Sequence, residues 1–257
     1  MNGAADLLSR YLRQRVELGE TELVFEGQPL RSLKEAASVS VAPTPSRTTD
    51  RTTHRPIAAA GTRPSGVEPP PLVALGSLGE LGRIASVCTA CELAETRNHV
   101  VFGEGSAQAD LVVVGEAPGA DEDRSGRPFV GRAGKLLDQL LAAIGFPRES
   151  VYICNVLKCR PPRNRNPSPD EVASCSPFLQ RQLALLQPKA ILACGTFSAQ
   201  TLLESSEPIG RLRGVVHAFE GIPLVPTYHP AALLRNPGWI RPVWEDLQRL
   251  RTLLDAE

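Results

Sequence analysis

The stretch LVVVGEAPG, residues 111–119, decides the fold class of this chain. Its first four residues form a continuous apolar run, which is typical of a β-strand buried on both faces. The glycines that follow allow the backbone to turn and to approach a ligand closely, although a tight turn without a ligand would leave the same pattern. Parallel sheets bind ligands where such strands end. The stretch therefore predicts an α/β fold and a candidate site just after it.

Patterns of strands and helices alternate around this stretch. Further strands are predicted at 151–157, 190–194, 215–219 and 222–225. Helices are predicted at 134–144, 168–186, from the end of the third strand to 203, and at 242–254. Ser168, Pro169 and Glu171 support the second helix because they provide an N-cap, a suitable first residue and a capping-box carboxylate. The alternation predicts a parallel sheet with helices on both faces.

The first 71 residues differ in composition from the rest of the chain. Residues 1–36 carry a short helical stripe of apolar side chains, which predicts a small helical appendage. Residues 37–71 consist mainly of Pro, Thr, Ser, Arg and Ala and predict a disordered linker, because they offer little apolar surface to bury. The functional domain is therefore predicted at residues 72–257.

Bulk properties narrow the class of protein. The 257 residues include 28 Lys and Arg and 28 Asp and Glu, and this zero net charge argues against a protein that coats DNA by charge alone. No apolar run approaches the roughly 18 residues of a membrane helix, and the N-terminus lacks the apolar core of a signal peptide. We therefore expect a cytoplasmic monomer without a membrane partner. In that compartment, six cysteines favour metal ligation or core packing over disulfides.

Four of the six cysteines have the spacing of a metal centre. Cys88 and Cys91 form a CxxC pair, and Cys159 and Cys175 frame a Pro-rich loop. Four such thiolates hold either zinc or an iron–sulfur cluster, and their spacing does not choose between the two. The other two cysteines lie in predicted strands and are interpreted as core residues.

The segment that contains the third of these cysteines concentrates positive charge in a neutral protein. Its basic residues are Lys158, Arg160, Arg163 and Arg165. A basic run is usually only a solvated surface. Beside a metal site, however, these side chains would also be placed to contact phosphate groups.

Two other motifs fall where loops of the sheet are predicted, and one further candidate residue lies in a predicted strand. GRPFVGRAG, residues 126–134, sets Phe129 among glycines, where its ring would be free to stack on a flat ligand. Asn155 lies in a predicted strand, and its amide both donates and accepts hydrogen bonds, as recognition of an imide requires. TYHPAALLR, residues 227–235, places His229 after the last strand. Taken singly, each motif also fits a core anchor, a strand-end cap or a turn.

In combination, the motifs resemble family 4 uracil-DNA glycosylases. GEAPG, GRPFVGRAG, YICNVLKCRPPRNR and TYHPAALLR occur in that order and in register with the four cysteines, from about residue 87 to the C-terminus. The resemblance implies a three-layer α/β/α fold with a central four-stranded parallel sheet. It also implies a [4Fe–4S] cluster, and it is the reason for preferring iron–sulfur to zinc. The implied cluster ligands are Cys88, Cys91, Cys159 and Cys175.

The resemblance further implies that the chain removes uracil from single- or double-stranded DNA in base excision repair and leaves an abasic site. The uracil would leave the base stack and enter a pocket. There Phe129 would stack on its ring, Asn155 would read its edge and His229 would donate to O2, where negative charge grows. The implied catalytic residues are His229, Asn155 and Glu116. The implied substrate-binding residues are Glu116, Ala117, Pro118, Glu122, Phe129, Asn155 and His229.

The role of Glu122 and the contacts with DNA are also implied by the resemblance. Glu122 would crowd the additional methyl group of thymine. The basic segment would contact phosphate. Residues 230–235 would probe the duplex, with Leu233 or Leu234 as an apolar wedge in the vacated space. The implied DNA-binding residues are Lys158, Arg160, Arg163, Arg165, Leu233, Leu234 and Arg235.

Ala117 stands where other uracil glycosylases have an aspartate that orients water, as is normal in family 4. A largely dissociative reaction is therefore expected, in which the base leaves before water adds, and Glu116 is the nearest carboxylate. Residues 119–129 contain no inserted histidine loop of the kind that traps DNA covalently, so ordinary turnover is expected.

Two alternatives to a uracil-DNA glycosylase are a glycosylase of this fold for other deaminated bases and a non-catalytic damage-binding protein. Asn155 and His229 argue against the second.

Overall fold

A computed structural model of the chain describes residues 72–256. The predicted appendage at 1–36 and the predicted linker at 37–71 lie outside the described residues. Among the described helices, none combines the length and the hydrophobicity that a bilayer span requires.

One mixed sheet of six strands runs through the described part of the chain. In chain order the strands are β1 (Glu104–Gly105), β2 (Leu111–Gly115), β3 (Tyr152–Asn155), β4 (Ala190–Cys194), β5 (His217–Phe219) and β6 (Ile222–Thr227). Their spatial order is β1-β3-β2-β4-β6-β5. Strands β3, β2, β4 and β6 pair in parallel, whereas the edge strands β1 and β5 pair antiparallel with β3 and β6.

The expected sheet of four parallel strands therefore needs correction, because the sheet is six-stranded and mixed. Strand β1 has two residues and carries no apolar run that would announce it. Strands β5 and β6 are joined by Glu220 and Gly221, which both have positive φ angles, 47° and 86°. Two such residues form a tight hairpin turn, and a hairpin makes its strands antiparallel.

Nine α-helices cover the sheet in the described residues. They are α1 (Leu78–Ser86), α2 (Leu93–Thr96), α3 (Ala120–Ser125), α4 (Arg132–Ala143), α5 (Pro169–Leu186), α6 (Thr196–Leu203), α7 (Ile209–Leu212), α8 (Pro230–Arg235) and α9 (Ile240–Asp255). Helix α5 has the predicted cap, because Ser168 Oγ accepts from the Glu171 N–H and Glu171 accepts from the Ser168 N–H. Helices α4 and α9 begin two residues before their predicted starts.

The central strands are apolar throughout because both of their faces are buried. Val113 and Leu192 pack in one cluster with α4 and α9. Val112 and Ile191, the neighbours of these residues in sequence, pack in a second cluster with α5 and α6. All four side chains are fully buried. Successive side chains of a strand point to opposite faces, so the sheet has helices on both sides.

The parallel strands end at the same edge of the sheet. Gly115 at the end of β2 is in register with Asn155 at the end of β3, and Cys194 is in register with Thr227. The segments that follow these strands are the loops in which the sequence motifs lie. The topology therefore brings residues that are more than 100 positions apart in the chain to one edge.

Candidate active site

A cavity of about 710 Å³ lies at the carboxyl ends of the parallel strands. Residues that follow each of the four strands line it, as expected for an α/β sheet. The predicted substrate-binding residues all contribute to this lining, and they are Glu116, Ala117, Pro118, Glu122, Phe129, Asn155 and His229. The fold therefore assembles one pocket from motifs that are individually unspecific.

Asn155 presents an unused hydrogen-bond acceptor in this cavity. Its side chain is buried, and Oδ1 has no hydrogen-bond partner within the described structure. A β-carbon at Gly115 would overlap both Asn155 Oδ1 and the ring of Phe129, so only glycine fits there. Buried acceptors are rarely left unpaired, because the desolvation cost is not recovered. The pocket therefore has an acceptor that a ligand N–H would satisfy.

Phe129 is held in an unusual backbone conformation above this acceptor. Its φ angle is 50°, in the left-handed region, and its ring stacks on that of His229 with centroids 5.5 Å apart. Arg148 Nη1 donates to the Phe129 carbonyl oxygen at 3.1 Å and pairs with Asp138 at 2.8 Å. Arg148 also pairs with Glu104 at 2.5 Å. These contacts offset a backbone cost of about 1–3 kcal/mol, and they fix the ring.

His229 is a neutral hydrogen-bond donor. It precedes α8, and its Nδ1 accepts from the Ala231 N–H at 3.1 Å. Since Nδ1 accepts, the ring proton is on Nε2, the nitrogen left for a ligand. Burial, and then the positive charge of Arg235, lower the pKa of His229 to about 4. Protonation of Nδ1 would also break the bond to Ala231, which agrees with the direction of the shift.

Two carboxylates in the cavity have different surroundings. Burial raises the pKa of Glu116, and its backbone oxygen accepts from the Leu157 N–H at 3.0 Å. Glu122 instead accepts three backbone N–H bonds, from Gly119 at 3.1 Å, Val130 at 2.9 Å and Gly131 at 3.0 Å. Glu122 therefore ties the loop after β2 to the loop that carries Phe129. Its role in excluding the thymine methyl group stays a prediction.

Glu122→Ala is expected to lower the free energy of unfolding by about 2–4 kcal/mol, because three backbone donors lose their partner together. Chemical denaturation of the purified protein would measure this loss. The matched control is Asp121→Ala on the same helix, since Asp121 pairs with Arg124 at an exposed position. Equal stability of the two variants would contradict the role of Glu122 in holding the two loops together.

The four predicted metal ligands surround a second, smaller cavity. Cys88, Cys91, Cys159 and Cys175 all line it. Within residues 72–256, no group of three or more His, Cys, Asp or Glu side chains is arranged to hold a single metal ion. In a [4Fe–4S] cluster each thiolate binds a different iron, so the sulfur atoms surround a cavity instead of converging on one point.

The surroundings of this cavity fit thiolate ligands. Arg97 Nη1 donates to Cys159 Sγ at 3.4 Å, and the Lys158 N–H donates to Cys175 Sγ at 3.3 Å. Burial raises the pKa of Cys175 to about 11, so a thiolate there needs a nearby positive charge such as a bound metal. The four cysteines and their hydrogen-bond donors therefore fit the donor set of an iron–sulfur cluster.

Comparison with known proteins identifies relatives of this chain. Residues 102–248 match the profile of the uracil DNA glycosylase superfamily. A type-4 uracil-DNA glycosylase of Archaeoglobus fulgidus is 47% identical over 154 residues, which cover 57% of this chain and 77% of that protein. One of Thermotoga maritima is 44% identical over 165 residues, or 63% of this chain and 86% of that protein.

The chain belongs to the type-4 uracil-DNA glycosylases. Type-5 enzymes are more distant relatives, and one from Pyrobaculum aerophilum is 31% identical over 151 residues, which cover 52% of this chain and 66% of that protein. The matched profile includes Phe129, Asn155 and His229, and it includes Cys159 and Cys175. The matched range therefore contains the large cavity and two of the four cysteines, whereas Cys88 and Cys91 precede it.

Two of the residues that were predicted to contact DNA are buried. Lys158 is 2% exposed, and its Nζ donates to the Asn155 carbonyl oxygen at 2.6 Å and to Gln182 Oε1 at 2.5 Å. The prediction that Lys158 contacts phosphate is therefore wrong, because the side chain turns inward between the cysteine cavity and Asn155. Leu233 is 1% exposed and packs in the core, since it lies on the inner face of α8. The prediction of a wedge at Leu233 is wrong for this reason.

The remaining predicted DNA contacts are accessible to different degrees. Arg163 is exposed, and Arg160 is half-buried with Nε donating to Asn164. Arg165 lines the large cavity and pairs with Glu171 at 2.5 Å, although 45% of its side chain stays exposed. Leu234 is half-buried against the core, whereas Arg235 is exposed and lines the cavity.

Sequence reasoning missed residues that support the pocket from a distance. Nothing in the sequence around Arg148 singles it out, because its partners are remote in the chain. Tyr228 and Trp239 also line the cavity and stack on each other with centroids 4.4 Å apart. A tryptophan in the polar turn Asn-Pro-Gly-Trp is a signal that could have drawn attention to Trp239.

Proposed function

We propose that this protein is a uracil-DNA glycosylase that hydrolyses the N-glycosidic bond of uracil in DNA and leaves an abasic site for base excision repair. The observation that carries the proposal is the buried, unpartnered Oδ1 of Asn155 in a cavity that Phe129 and His229 also line. Membership of the type-4 family supports the same activity. A cytoplasmic monomer that acts on single- or double-stranded DNA completes the proposal.

Asn155 gives the pocket its selectivity for uracil. Uracil offers an N3–H donor to Asn155 Oδ1 and an O4 acceptor to the amide N–H. Cytosine offers the opposite pattern, with an acceptor at N3 and a donor at C4, so it would leave both Asn155 groups unpaired. Sites of this kind reject a mismatched analogue strongly, because their buried polar groups lose their partners.

His229 stabilises the leaving group. As the glycosidic bond breaks, negative charge grows on uracil O2, and the Nε2–H of the neutral imidazole donates to it. Ala117 has no carboxylate to orient a water molecule, so the base leaves before water adds. Glu116 is the carboxylate nearest this position in the chain and is assigned to guiding the water that follows.

The pH profile of kcat/KM for uracil release is expected to be flat between about pH 6 and pH 8 and to fall only toward about pH 4. The pKa of His229 is lowered to about 4, so the donor stays neutral across that range. The unfolded chain binds the same proton more tightly, and stability therefore also declines as pH falls from about 6.5 to about 4. An inflection near pH 6.5 that disappears in His229→Asn would contradict this assignment.

The cysteine cavity is proposed to hold the [4Fe–4S] cluster through Cys88, Cys91, Cys159 and Cys175. When bound, the cluster supplies a structural cross-link between distant parts of the chain. Cys88 and Cys91 lie before α2 and Cys159 lies in the basic loop after β3, so the cross-link joins these two segments. Arg165 of that loop lines the large cavity and Arg163 is exposed two residues before it, and both are assigned to phosphate contacts.

Uracil release tests the proposed function directly. Iron-loaded protein is incubated with oligonucleotides that carry one uracil, cytosine or hypoxanthine, in single-stranded and duplex form. We expect free uracil and an alkali-labile site from the uracil substrates alone, with strong loss of both in His229→Ala. Absence of uracil release would overturn the proposal. Release of hypoxanthine instead would favour a glycosylase for other deaminated bases, and binding without release would favour a damage-binding role.

A further inference from the structure

The large cavity extends beyond what one pyrimidine needs. At about 710 Å³ it lies in the range of roughly 300–1,000 Å³ that holds drug-sized ligands, which are much larger than a single base. Part of its lining has no role in reading or releasing the base. This part includes Tyr228, Arg235 and Trp239.

Tyr228 and Trp239, which both line the cavity, stack on each other. Their rings are nearly parallel, with an interplanar angle of 15° and centroids 4.4 Å apart. Trp239 nevertheless remains 36% exposed. It is therefore a large aromatic ring that lines the cavity and is also open to solvent.

The stack is braced from the core of the protein. The guanidinium of Arg213 lies 5.5 Å from the centroid of the Tyr228 ring. Both Arg213 Nε and Nη2 donate to the fully buried carboxylate of Asp246 at 2.9 Å. Asp246 also accepts from Thr227 Oγ1 at 2.8 Å. This chain of contacts orients Tyr228, and with it the ring of Trp239, before any ligand binds.

We propose that Trp239 is a stacking platform for the nucleobase that neighbours the flipped uracil on the same strand. The inference rests on the proposed function, because it places that uracil against Phe129 and His229. Tyr228 directly precedes His229, so the platform begins one residue from the group that donates to uracil. Arg235 lines the same cavity and is exposed, as a contact with the intervening phosphate requires.

A free nucleobase is the ligand that suits this platform. Aromatic side chains beside a cationic groove bind unpaired bases by stacking, and they do so with little sequence preference because every base has a flat face. A base that is paired and stacked in a duplex would have to leave its neighbours to reach Trp239. The platform therefore favours single-stranded substrate, or a duplex that is opened on one side of the uracil.

Fluorescence provides a test that does not depend on catalysis. The chain has two tryptophans, and Trp244 is 1% exposed, so an added oligonucleotide can stack only on Trp239. A single-stranded oligonucleotide with an abasic analogue in place of the uracil is titrated into the iron-loaded full chain. We expect saturable quenching in the unaltered protein and almost none in Trp239→Phe.

Kinetics provide the second measurement. Trp239→Ala is expected to raise KM for a single-stranded uracil oligonucleotide by about tenfold, with kcat within about twofold of the unaltered value. Trp239→Phe is expected to restore most of the affinity. Val215→Ala, which changes an exposed apolar residue that does not line the cavity, serves as the control and is expected to leave KM unchanged.

The outcomes separate this inference from the proposed function. Uracil release with no quenching and an unchanged KM in Trp239→Ala would overturn the platform and leave the activity standing. Quenching without uracil release would support the platform and overturn the activity. A loss of affinity in Trp239→Ala that is confined to duplex substrate would also overturn the platform as an unpaired-base site.

Discussion

Asn155→Ala is expected to lower kcat/KM for uracil release by about a thousandfold or more. The substitution removes both the acceptor for uracil N3–H and the donor for O4 in a buried pocket, where water does not replace them. The space left by the amide would also admit cytosine more readily. Release of uracil and of cytosine from matched uracil and cytosine oligonucleotides under single-turnover conditions would measure both effects.

The matched control for this prediction is Asn166→Ala, which truncates an exposed asparagine of the basic loop. It is expected to release uracil at close to the unaltered rate. Circular dichroism and iron content should be the same for the two variants, so that a loss of fold does not imitate a loss of recognition. Near-normal uracil release by Asn155→Ala would refute the assignment of this residue.

Cys159→Ala is expected to remove the brown colour of the protein and to lower its stability and DNA affinity together. Loss of a structural metal centre is among the few single changes that cost about 4 kcal/mol or more, which corresponds to roughly 8–16 °C in Tm for a domain of this size. DNA affinity falls because the basic loop that contains Arg163 and Arg165 loses its anchor. Iron analysis, thermal unfolding and oligonucleotide binding measure the three effects.

Cys194→Ala distinguishes loss of a ligand from loss of any buried cysteine. Cys194 is 1% exposed in β4 and does not line the cysteine cavity. Its truncation is expected to retain the colour and to cost only about 1 kcal/mol of stability. A colourless Cys159→Ala variant with unaltered uracil release and stability would contradict a structural role for the cluster.

Local sequence patterns predicted the elements that are determined by local physics. Strand β4 has the predicted bounds because 190–194 is an unbroken apolar run between Lys189 and Gly195. Helix α5 begins and ends where predicted because Ser168 and Glu171 form a capping box and Pro188 follows its end. The short edge strand β1 lacked any such pattern, since its pairing depends on β3, almost 50 residues later.

The residue types of the candidate site were predictable from the sequence, but the direction in which each side chain points was not. Phe129, Asn155 and His229 meet as predicted because the carboxyl ends of parallel strands share one edge. Lys158 looked like a phosphate contact, since a sequence shows that a lysine follows a strand but not that it turns inward. Arg148 was missed because its partners, Glu104, Phe129 and Asp138, are 44, 19 and 10 residues away.

The hydrogen bonds of Lys158 affect the local unfolding of the regions that it joins. Its backbone N–H bonds to a cysteine sulfur, whereas its ammonium bonds to the Asn155 carbonyl oxygen and Gln182. Disordering either region would break the hydrogen bonds of this buried ammonium, and hydrogen bonds to a charged group are stronger than neutral ones. We therefore expect the cysteine cavity and the floor of the base pocket to open together in native-state hydrogen exchange.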